Sequence, residues 1–456
     1  MELYHVIVVG GGPGGLAAAA AAKSNGAARV LLLEREEQTG GILNQCIHDG
    51  FGLRRYREQL SGPEYALRAV AEAIDAGVEM KTGCMVTQVT SENGIHCVTA
   101  VGRRGLAVYQ SRTVIFATGC RERTRGAISI PGSRPAGVFT AGVAQNLVNM
   151  QRIMVGRRIV ILGSGDIGLI MARRLTIEGA KVLAVVEVMP SPGGLARNIT
   201  QCLDDFGIPL YLKHTVSKII GKDRVTAVEI SEVNDRQELI PGSASTMECD
   251  TLILSVGLIP ENEIAGAAAV QLDERTNGAL TDRFLQTNIP GIFSCGNARR
   301  VTDLVDFVSE QGETAGINAV RYIAGEPMLQ WDDGVENTML KGLPAPGSVT
   351  CTLCPNGCQI TVGQGDTVEG NRCGRGKAFA IQEMRSPERI LTTTVRAQGR
   401  VVAVRSDRPV KRAELQTLVS LIHGQKVALP VYPGQILLQN VGENSVNIIA
   451  EHAAER

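Results

Sequence analysis

Apolar runs that end in glycine alternate with stretches of helical periodicity through the first three hundred residues. The first run, VIVVGGGPGG from Val6, predicts a buried strand, a glycine turn and an alanine-rich helix from Leu16. Residues 61–80 predict a helix capped by Ser61. Short alternating segments predict strands at 85–89, 95–101 and 106–109. This order of elements is typical of an α/β fold.

The glycines of the first turn have the spacing of a dinucleotide-binding loop. Gly10, Gly12 and Gly15 allow a sharp turn and a close approach of the backbone to a pyrophosphate, which the N–H groups of the next helix face. A second strand, 29–33, ends in Glu34, 24 positions after Gly10. A carboxylate there accepts hydrogen bonds from an adenosine ribose. The first domain is therefore predicted to bind a dinucleotide.

The whole pattern recurs after an apolar strand at 158–162. The glycine spacing is repeated by Gly163, Gly165 and Gly168. The strand at 181–186 ends in Glu187, again 24 positions after the first glycine. Two copies predict two bound dinucleotides rather than glycine turns without a ligand. The charge of Glu187 would repel a ribose 2′-phosphate, and no arginine follows within a few positions, so NAD is favoured over NADP.

Three later segments resemble the flavin-binding motifs of the thioredoxin-reductase-like pyridine-nucleotide flavoproteins. They are 113–119 with Gly119, 251–262 with Gly257, and 288–297 with Gly296 and Asn297. The resemblance implies FAD on the first loop and NAD on the second. It also implies that Asn297 stands where an aspartate usually bonds the flavin ribityl chain, and that a helix over 311–324 directs its positive end at the flavin ring.

This resemblance implies two Rossmann-like domains, of which the FAD domain is split by the inserted NAD domain. The expected divisions are 1–120 for the first part of the FAD domain, 121–252 for the NAD domain, 253–326 for the second part of the FAD domain, 327–348 for a linker, and 349–456 for a small C-terminal α+β domain rich in cysteine. Hydride would pass between the nicotinamide and the flavin, with the protein supplying orientation.

Composition excludes several classes of partner. The chain of 456 residues has 46 Lys plus Arg and 46 Asp plus Glu, so no overall basic field favours nucleic acid or an anionic membrane. No apolar run approaches the ~18 residues of a transmembrane helix. Because Met1 runs directly into the predicted first strand, we expect no leader. We expect a cytoplasmic protein whose 11 cysteines serve as thiols, metal ligands or redox groups.

One cysteine lies where a related disulfide reductase would carry two. The segment GGILNQCIHDGFG offers Cys46 alone, and residues 1–340 contain no Cys-x-x-Cys. Thiol exchange with a resolving partner is therefore disfavoured. Cys46 and His48 are two positions apart, so on a strand their side chains would share a face. A thiol beside a base would make them a candidate catalytic pair. A packed thiol beside a locally bonded histidine is the plainer interpretation.

Four cysteines crowd into one short segment near residue 350. CTLCPNGC and GNRCGRG place them at Cys351, Cys354, Cys358 and Cys373. Four thiolates can hold zinc or an iron–sulfur cluster. A flavin in the same chain favours the cluster, because hydride carriers commonly pass electrons singly to iron–sulfur centres. The Cys-x2-Cys-x3-Cys run resembles cluster loops of molybdopterin oxidoreductases and favours a four-iron over a two-iron cluster.

The rest of the last domain alternates short strands with one helix. Strands are predicted within 390–405 and 427–449. Between them, one face of a helix is formed by Leu415, Leu418, Val419 and Ile422. So small a core favours stabilisation by a metal.

Together, GGILNQCIHDGFG, CGNARRVTDLVD, CTLCPNGC, GNRCGRG and LTTTVR resemble a specific bacterial family. It comprises the FAD/NAD oxidoreductase and the small four-cysteine protein encoded beside glycerol-3-phosphate dehydrogenases, here fused. The resemblance implies a hetero-oligomer, in which a separate FAD subunit oxidises glycerol 3-phosphate and this chain carries the electrons to NAD. The alternatives are a self-contained NADH oxidase or a thiol or peroxide reductase using Cys46, and a zinc-stapled docking module at the C-terminus.

Overall fold

A computed structural model describes residues 3–334, 339 and 341–455 of the chain. They form two compact units. The first unit comprises Met1–Cys46, Phe51–Arg121 and Leu258–Asn337, and the second comprises Ile47–Gly50, Glu122–Gly257 and Thr338–Arg456. The α-helices of the described residues are, in chain order, α1 Pro13–Ser24, α2 Gly62–Asp75, α3 Arg125–Ile128, α4 Ala141–Gln151, α5 Asp166–Ile177, α6 Ala196–Cys202, α7 Glu263–Ala267, α8 Val305–Ala324, α9 Gly374–Arg385 and α10 Leu415–His423.

The first unit is built on a mixed seven-stranded sheet. Its strand order is Glu79–Lys81, Val30–Leu33, Leu3–Val9, Gly105–Phe116, Ile95–Gly102 and Cys84–Glu92, with Ile292–Ser294 also paired to Gly105–Phe116. The strands around Leu3–Val9 are parallel, so their carboxyl ends meet at one edge. Further short strands lie at Asp49–Phe51, Leu60–Ser61, Cys120–Glu122 and Leu258–Pro260. The predicted α/β class is confirmed.

Two helices of the first unit pack unusually closely. A Cβ added at Gly312 would lie 2.1 Å from the carbonyl oxygen of Gly14, and one at Gly316 would lie 2.2 Å from that of Ala18. Only glycine therefore allows α8 to lie directly against α1. The predicted helix after Ser61 is confirmed as α2, and Ser61 forms a reciprocal capping box with Glu64.

The second unit contains a parallel five-stranded sheet. Its order is Val138–Thr140, Thr251–Leu254, Arg158–Leu162, Lys181–Glu187 and Leu210–Leu212. A smaller antiparallel sheet consists of His214–Gly221, Val225–Glu232 and Ser245–Glu248.

The position of Thr251–Leu254 differs from expectation. We predicted that the chain returns to the first domain at this strand, but it pairs on both sides within the second sheet. All four of its residues are buried, and an apolar strand of this kind has the same pattern in either sheet. The chain passes to the first unit only after Gly257.

The C-terminal residues also belong to the second unit. One sheet has the order Lys426–Val427, Thr392–Ala397, Arg400–Ser406, Val446–Ala450 and Ile436–Val441. Smaller sheets are formed by Val349–Thr350, Gln359–Val362 and Val368–Glu369, and by Glu388–Arg389 with Val410–Lys411. The predicted helix face is confirmed on α10, where Leu415, Leu418, Val419 and Ile422 are buried. Ile177, at the end of α5, lies in the same apolar core.

The predicted linker 327–348 is only partly within the described residues, because 335–338 and 340 lie outside them. Its first part packs on the first unit. Asn318 donates to the carbonyl of Leu329 at 2.8 Å, and the N–H of Trp331 donates to the carbonyl of Arg283 at 2.8 Å.

Candidate functional site

The first glycine loop has a shape that side chains would prevent. Gly10 has φ +108°, and a Cβ there would lie 2.4 Å from the carbonyl oxygen of Ala117. A Cβ at Gly15 would lie 1.9 Å from the carbonyl oxygen of Gly10. Gly12, by contrast, faces open space, with nothing within 4 Å of its added Cβ. The loop thus leaves a cradle at the N-terminus of α1, which suits a pyrophosphate.

Glu34 lies beside this loop and is tied to its backbone. Its Oε2 accepts from the N–H of Gly11 at 2.6 Å, and its Oε1 accepts from the N–H of Glu36 at 2.8 Å. The side chain is buried. A carboxylate that is held in this way at a strand end has a fixed position from which to accept ribose hydroxyl groups.

Of the later glycine turns of the first unit, the one at Gly296 is joined to α8 by a hydrogen bond. Gly119 has φ +74° and Gly296 has φ +63°. The N–H of Gly296 donates to Gln311 Oε1 at 2.6 Å. Asn297 accepts from the N–H of Thr302 at 3.0 Å, so its amide is oriented by the loop that leads into α8. Its role toward the flavin stays a prediction.

The second glycine loop repeats the construction of the first. Gly163 has φ +101°, and its Cβ would lie 2.1 Å from the carbonyl oxygen of Ser255. The Cβ of a side chain at Gly168 would lie 2.5 Å from the carbonyl oxygen of Gly163, whereas Gly165 faces open space. The loop precedes α5 as the first precedes α1. The second unit therefore carries a second pyrophosphate cradle.

Glu187 is held as Glu34 is. Its Oε2 accepts from the N–H of Ser164 at 2.9 Å and from the hydroxyl of Ser164 at 2.5 Å. Its Oε1 accepts from the N–H of Met189 at 2.9 Å. Gly257, predicted to contact a cofactor, has φ +104° and ends the part of the second unit that leads back to the first.

The segment around Cys46 does not form the strand that we expected. Gly41–Gln45 is a 3-10 helix, because Gly40 and Gly41 adopt positive φ values that interrupt an extended chain. The half-buried thiol of Cys46, in the first unit, donates to the carbonyl of Ile42 at 3.3 Å. A shared strand face between Cys46 and His48 is therefore wrong, and the catalytic role of the two residues stays a prediction.

His48 belongs to the second unit and lies among charged groups. Its Nδ1 lies 3.2 Å from the carbonyl oxygen of Asp49. Loss of hydration lowers the pKa of His48 to about 4, the charges of Arg197 and Arg173 lower it as well, and Asp49 opposes them. The ring is therefore neutral at pH 7.

A buried ion pair in the same unit was not predicted from the sequence. Arg174 lies 2.6 Å from Glu178 Oε1, and both side chains are almost fully buried. Glu178 also accepts from the hydroxyl of Thr393 at 3.0 Å. The i,i+4 spacing of an arginine and a glutamate on one predicted helix was the available signal.

The four clustered cysteines lie in the C-terminal part of the second unit. The N–H of Cys351 donates to the carbonyl of Cys358 at 2.9 Å. Cys373 caps α9, and its Sγ accepts from the N–H of Gly376 at 3.4 Å. Burial and, to a smaller extent, the charges of the other three thiols raise the pKa of Cys351 to about 11. The other three thiols therefore lie within electrostatic reach of Cys351.

The donor set suits a metal centre, but its thiols are not closed around a point. Within the described residues, no group of three or more His, Cys, Asp or Glu side chains is arranged to hold a metal ion. All four cysteines of the segment are thiols rather than disulfides.

No helix in the described part of the chain has the length and apolar character needed to cross a bilayer.

Family comparisons agree with the two nucleotide cradles. Residues 4–315 match the family of pyridine nucleotide-disulphide oxidoreductases. Residues 374–452 match a second family, described as a protein of unknown function (DUF1667). The second match begins one residue after Cys373, so the four cysteines lie between the two matched regions.

Curated relatives match parts of the chain. Thioredoxin reductase of Listeria innocua is 29% identical over 267 residues, covering 58% of this chain and 72% of that protein. One of the proteins of the alkyl hydroperoxide reductase of Staphylococcus aureus is 26% identical, covering 63% of this chain and 53% of that protein. The mitochondrial dihydrolipoyl dehydrogenase of Caenorhabditis elegans is 32% identical, but the match spans only 34% of its length and 38% of this chain.

The solved structure of thioredoxin reductase from T. acidophilum has the same fold. It superposes with a TM-score of 0.59 at 21% identity, covering 71% of this chain and 99% of that one. The family match spans well over half of the 456 residues and includes both glycine loops. The chain therefore belongs to the pyridine nucleotide-disulphide oxidoreductase family and is an FAD-dependent NAD(P)H oxidoreductase.

Proposed function

We propose that this chain is an electron-transfer subunit that passes electrons between a partner dehydrogenase and NAD. The proposal assigns FAD to the first unit, NAD to the second, and an iron–sulfur cluster to Cys351, Cys354, Cys358 and Cys373. The observation that carries it is the union, in one chain, of two glycine cradles with a segment of four neighbouring thiols. A flavin exchanges a hydride with nicotinamide and releases electrons singly to such a centre.

The choice of NAD over NADP rests on Glu187. One of its oxygens accepts from the N–H of Ser164 in the second loop and the other from the N–H of Met189, so the carboxylate is fixed where the ribose would lie. A 2′-phosphate there would meet this negative charge.

The four-thiol segment fits a metal in its donor chemistry. Cys351, Cys354 and Cys358 lie on the loop between Val349–Thr350 and Gln359–Val362, while Cys373 begins α9. Four thiolates accept a four-iron cluster, a two-iron cluster or zinc, and the redox role of the flavin favours the four-iron cluster.

Anaerobic isolation of the full chain tests the cluster. We expect iron and acid-labile sulfide, with a reducible iron signal in the spectrum. A C354S/C358S variant should lose the iron, whereas C97S, a half-buried cysteine outside the segment, should keep it. Colour from flavin alone would contradict the proposal. One zinc without iron would instead favour a docking module that recruits a partner.

A second candidate function is a self-contained NADH oxidase or a thiol or peroxide reductase using Cys46. It is favoured by the half-buried thiol of Cys46 and by relatives whose names include thioredoxin reductase and alkyl hydroperoxide reductase. The C46S variant separates the two functions. We expect the rate of NADH-dependent dye reduction by C46S to stay within about twofold of the rate of the unaltered protein. Loss of turnover in C46S, but not in C97S, would select the thiol enzyme.

The partner that we propose is a separate FAD-containing subunit of the glycerol-3-phosphate dehydrogenase type, in the cytoplasm. The fused four-cysteine domain and the segments quoted above support it by resemblance. Anaerobic copurification from the native host, followed by identification of the bound subunits and fractionation of the cell, tests both points. Recovery of the chain alone, or in a membrane fraction without such a subunit, would contradict this part of the proposal.

A further inference from the structure

A cavity of about 440 Å³ lies in the second unit, away from the glycine loop. It is lined by the ends of helices and by two strands of the C-terminal sheet. Its charged lining consists of Arg152, Glu178, Arg396, His423 and Lys426. The volume falls in the range of pockets that bind small molecules.

Three of these residues are cations that form no ion pair within the described part of the chain. Arg396 and Lys426 are directly opposite each other on neighbouring parallel strands. Arg152 follows α4 at its C-cap, and burial and the charge of Arg396 lower its pKa, whereas the charge of Glu178 opposes them. Within the described part of the chain, none of the three side chains makes a hydrogen bond or an ion pair. Like charges placed opposite each other destabilise a sheet.

The acidic residue of the cavity, Glu178, already bonds to other side chains. Glu178 Oε1 lies 2.6 Å from Arg174, 3.0 Å from the hydroxyl of Thr393 and 3.4 Å from His423 Nε2. Burial would raise the pKa of Glu178, but His423, Arg174 and Thr393 together lower it to about 2. The negative charge of Glu178 is thus used within its own network.

Helix dipoles account for only part of the positive charge. The C-terminus of α4 attracts Arg152. Arg396 and Lys426 lie on strands, where no helix end attracts them. The arrangement therefore keeps two neighbouring exposed cations, beside a half-buried third, in the lining of the cavity.

We propose that this cavity binds a small multivalent phosphate anion. The guanidinium groups of Arg152 and Arg396 suit phosphate oxygens, and the ammonium of Lys426 adds a third positive charge. The anion would relieve the repulsion between Arg396 and Lys426. The cavity is distinct from the second dinucleotide cradle, because the twelve residues of α5 separate Glu178 from that loop by about 18 Å.

The test uses the full-length protein with FAD bound and NAD saturating, so that both pyrophosphate cradles are filled. Inorganic pyrophosphate is titrated calorimetrically at an ionic strength held constant with NaCl. The double variant R396Q/K426Q should bind pyrophosphate at least about tenfold more weakly than the unaltered protein. The control R400Q/K222Q removes the same charges from exposed positions outside the cavity and should bind unchanged.

Further titrations identify the ligand, and a further variant controls for misfolding of the double variant. Ribose 5-phosphate and inorganic phosphate replace pyrophosphate in parallel titrations, and tighter binding of the ester would indicate a metabolite rather than a free phosphate. R152Q alters a different element and should also weaken binding. An absence of saturable binding to the unaltered protein, or equal weakening in R396Q/K426Q and R400Q/K222Q, would overturn the proposal.

Discussion

At the scale of single residues, Glu187 is the expected determinant of nucleotide choice. The E187Q variant replaces a fixed negative charge by an amide, which removes the repulsion of a 2′-phosphate and weakens acceptance from ribose hydroxyl groups. We expect the KM for NADH to rise and the NADPH to NADH ratio of kcat/KM to increase by about tenfold. Steady-state dye reduction with each nucleotide measures this change.

The matched control is E34Q, which alters the equivalent carboxylate of the first loop. It should lower the flavin content of the purified protein and leave the nucleotide preference unchanged, because Glu34 bonds the first loop. If E34Q and E187Q changed the preference equally, the assignment of the two loops would be contradicted.

Because the pKa of His48 is lowered, we expect the folded protein to lose stability in acid. Its pKa is about 4 in the folded protein, against an ordinary 6.5, so between these values the unfolded chain binds a proton that the folded chain does not. Stability is therefore lost as the pH falls through this window, by up to about 2 kcal/mol at pH 5. The H48N variant should lose less stability than the unaltered protein between pH 7.5 and pH 5.

Thermal unfolding at the two pH values measures this difference. Comparing the change with pH, rather than stability at one pH, removes the packing effect of the substitution. An identical loss in both proteins would show that His48 is protonated in the folded state at pH 5.

The two nucleotide carboxylates were predictable from sequence, whereas the surroundings of Cys46 and His48 were not. Strand, glycine spacing and terminal Glu repeat at the same offset, because one local geometry serves both loops. The segment before Cys46 depends on the positive φ values of Gly40 and Gly41, which a hydrophobic pattern does not encode. The pKa of His48 depends first on its burial and then on charges that include Arg173 and Arg197, more than a hundred residues away.

At the scale of elements, the contact between α1 and α8 depends on glycine. The G316A variant would place a Cβ 2.2 Å from the carbonyl oxygen of Ala18, so the helices must separate. Such overpacking costs about 1–3 kcal/mol. We expect a lower unfolding temperature and less bound flavin, measured by the visible absorbance per protein, because α1 also supports the first glycine loop.

A suitable control is G266A, since the nearest atom to its added Cβ is Leu272 Cδ1 at 3.4 Å, an ordinary contact. It should retain its flavin. Loss of flavin in G266A but not in G316A would contradict the packing argument.

Element type was easier to predict from sequence than sheet membership. The predicted helix over 311–324 is present but begins at Val305, because no strong capping residue marks its start. The strand Thr251–Leu254 was predicted as a strand but assigned to the other sheet. The second error arises because an apolar run specifies burial, whereas partners distant in sequence decide which sheet buries it.

At the scale of the whole molecule, the C-terminal residues belong to the same compact unit as the second glycine loop. The sequence suggested a separate domain from residue 349, with a core too small to be stable without its metal. In the structure, Ile177 of the nucleotide-binding part lies in that core, and Arg389 joins Asp205 to Glu383. A hydrophobic pattern defines the faces of α5 and α10 but not their partners, so this union could not be predicted.

A buried ion pair joins the C-terminal residues to the nucleotide-binding part of the second unit. Arg389 and Asp205 are almost fully buried, with Nε and Oδ2 2.7 Å apart, so D205A should destabilise the second unit by about 3–5 kcal/mol. Its control is D235A, which removes an exposed pair with Lys213 in the same unit and should have little effect. Trp331 is the single tryptophan and lies in the first unit. Calorimetry should therefore show a lowered transition in D205A, while the unfolding followed by tryptophan fluorescence stays in place. A shift of both signals together would show instead that the two units unfold as one.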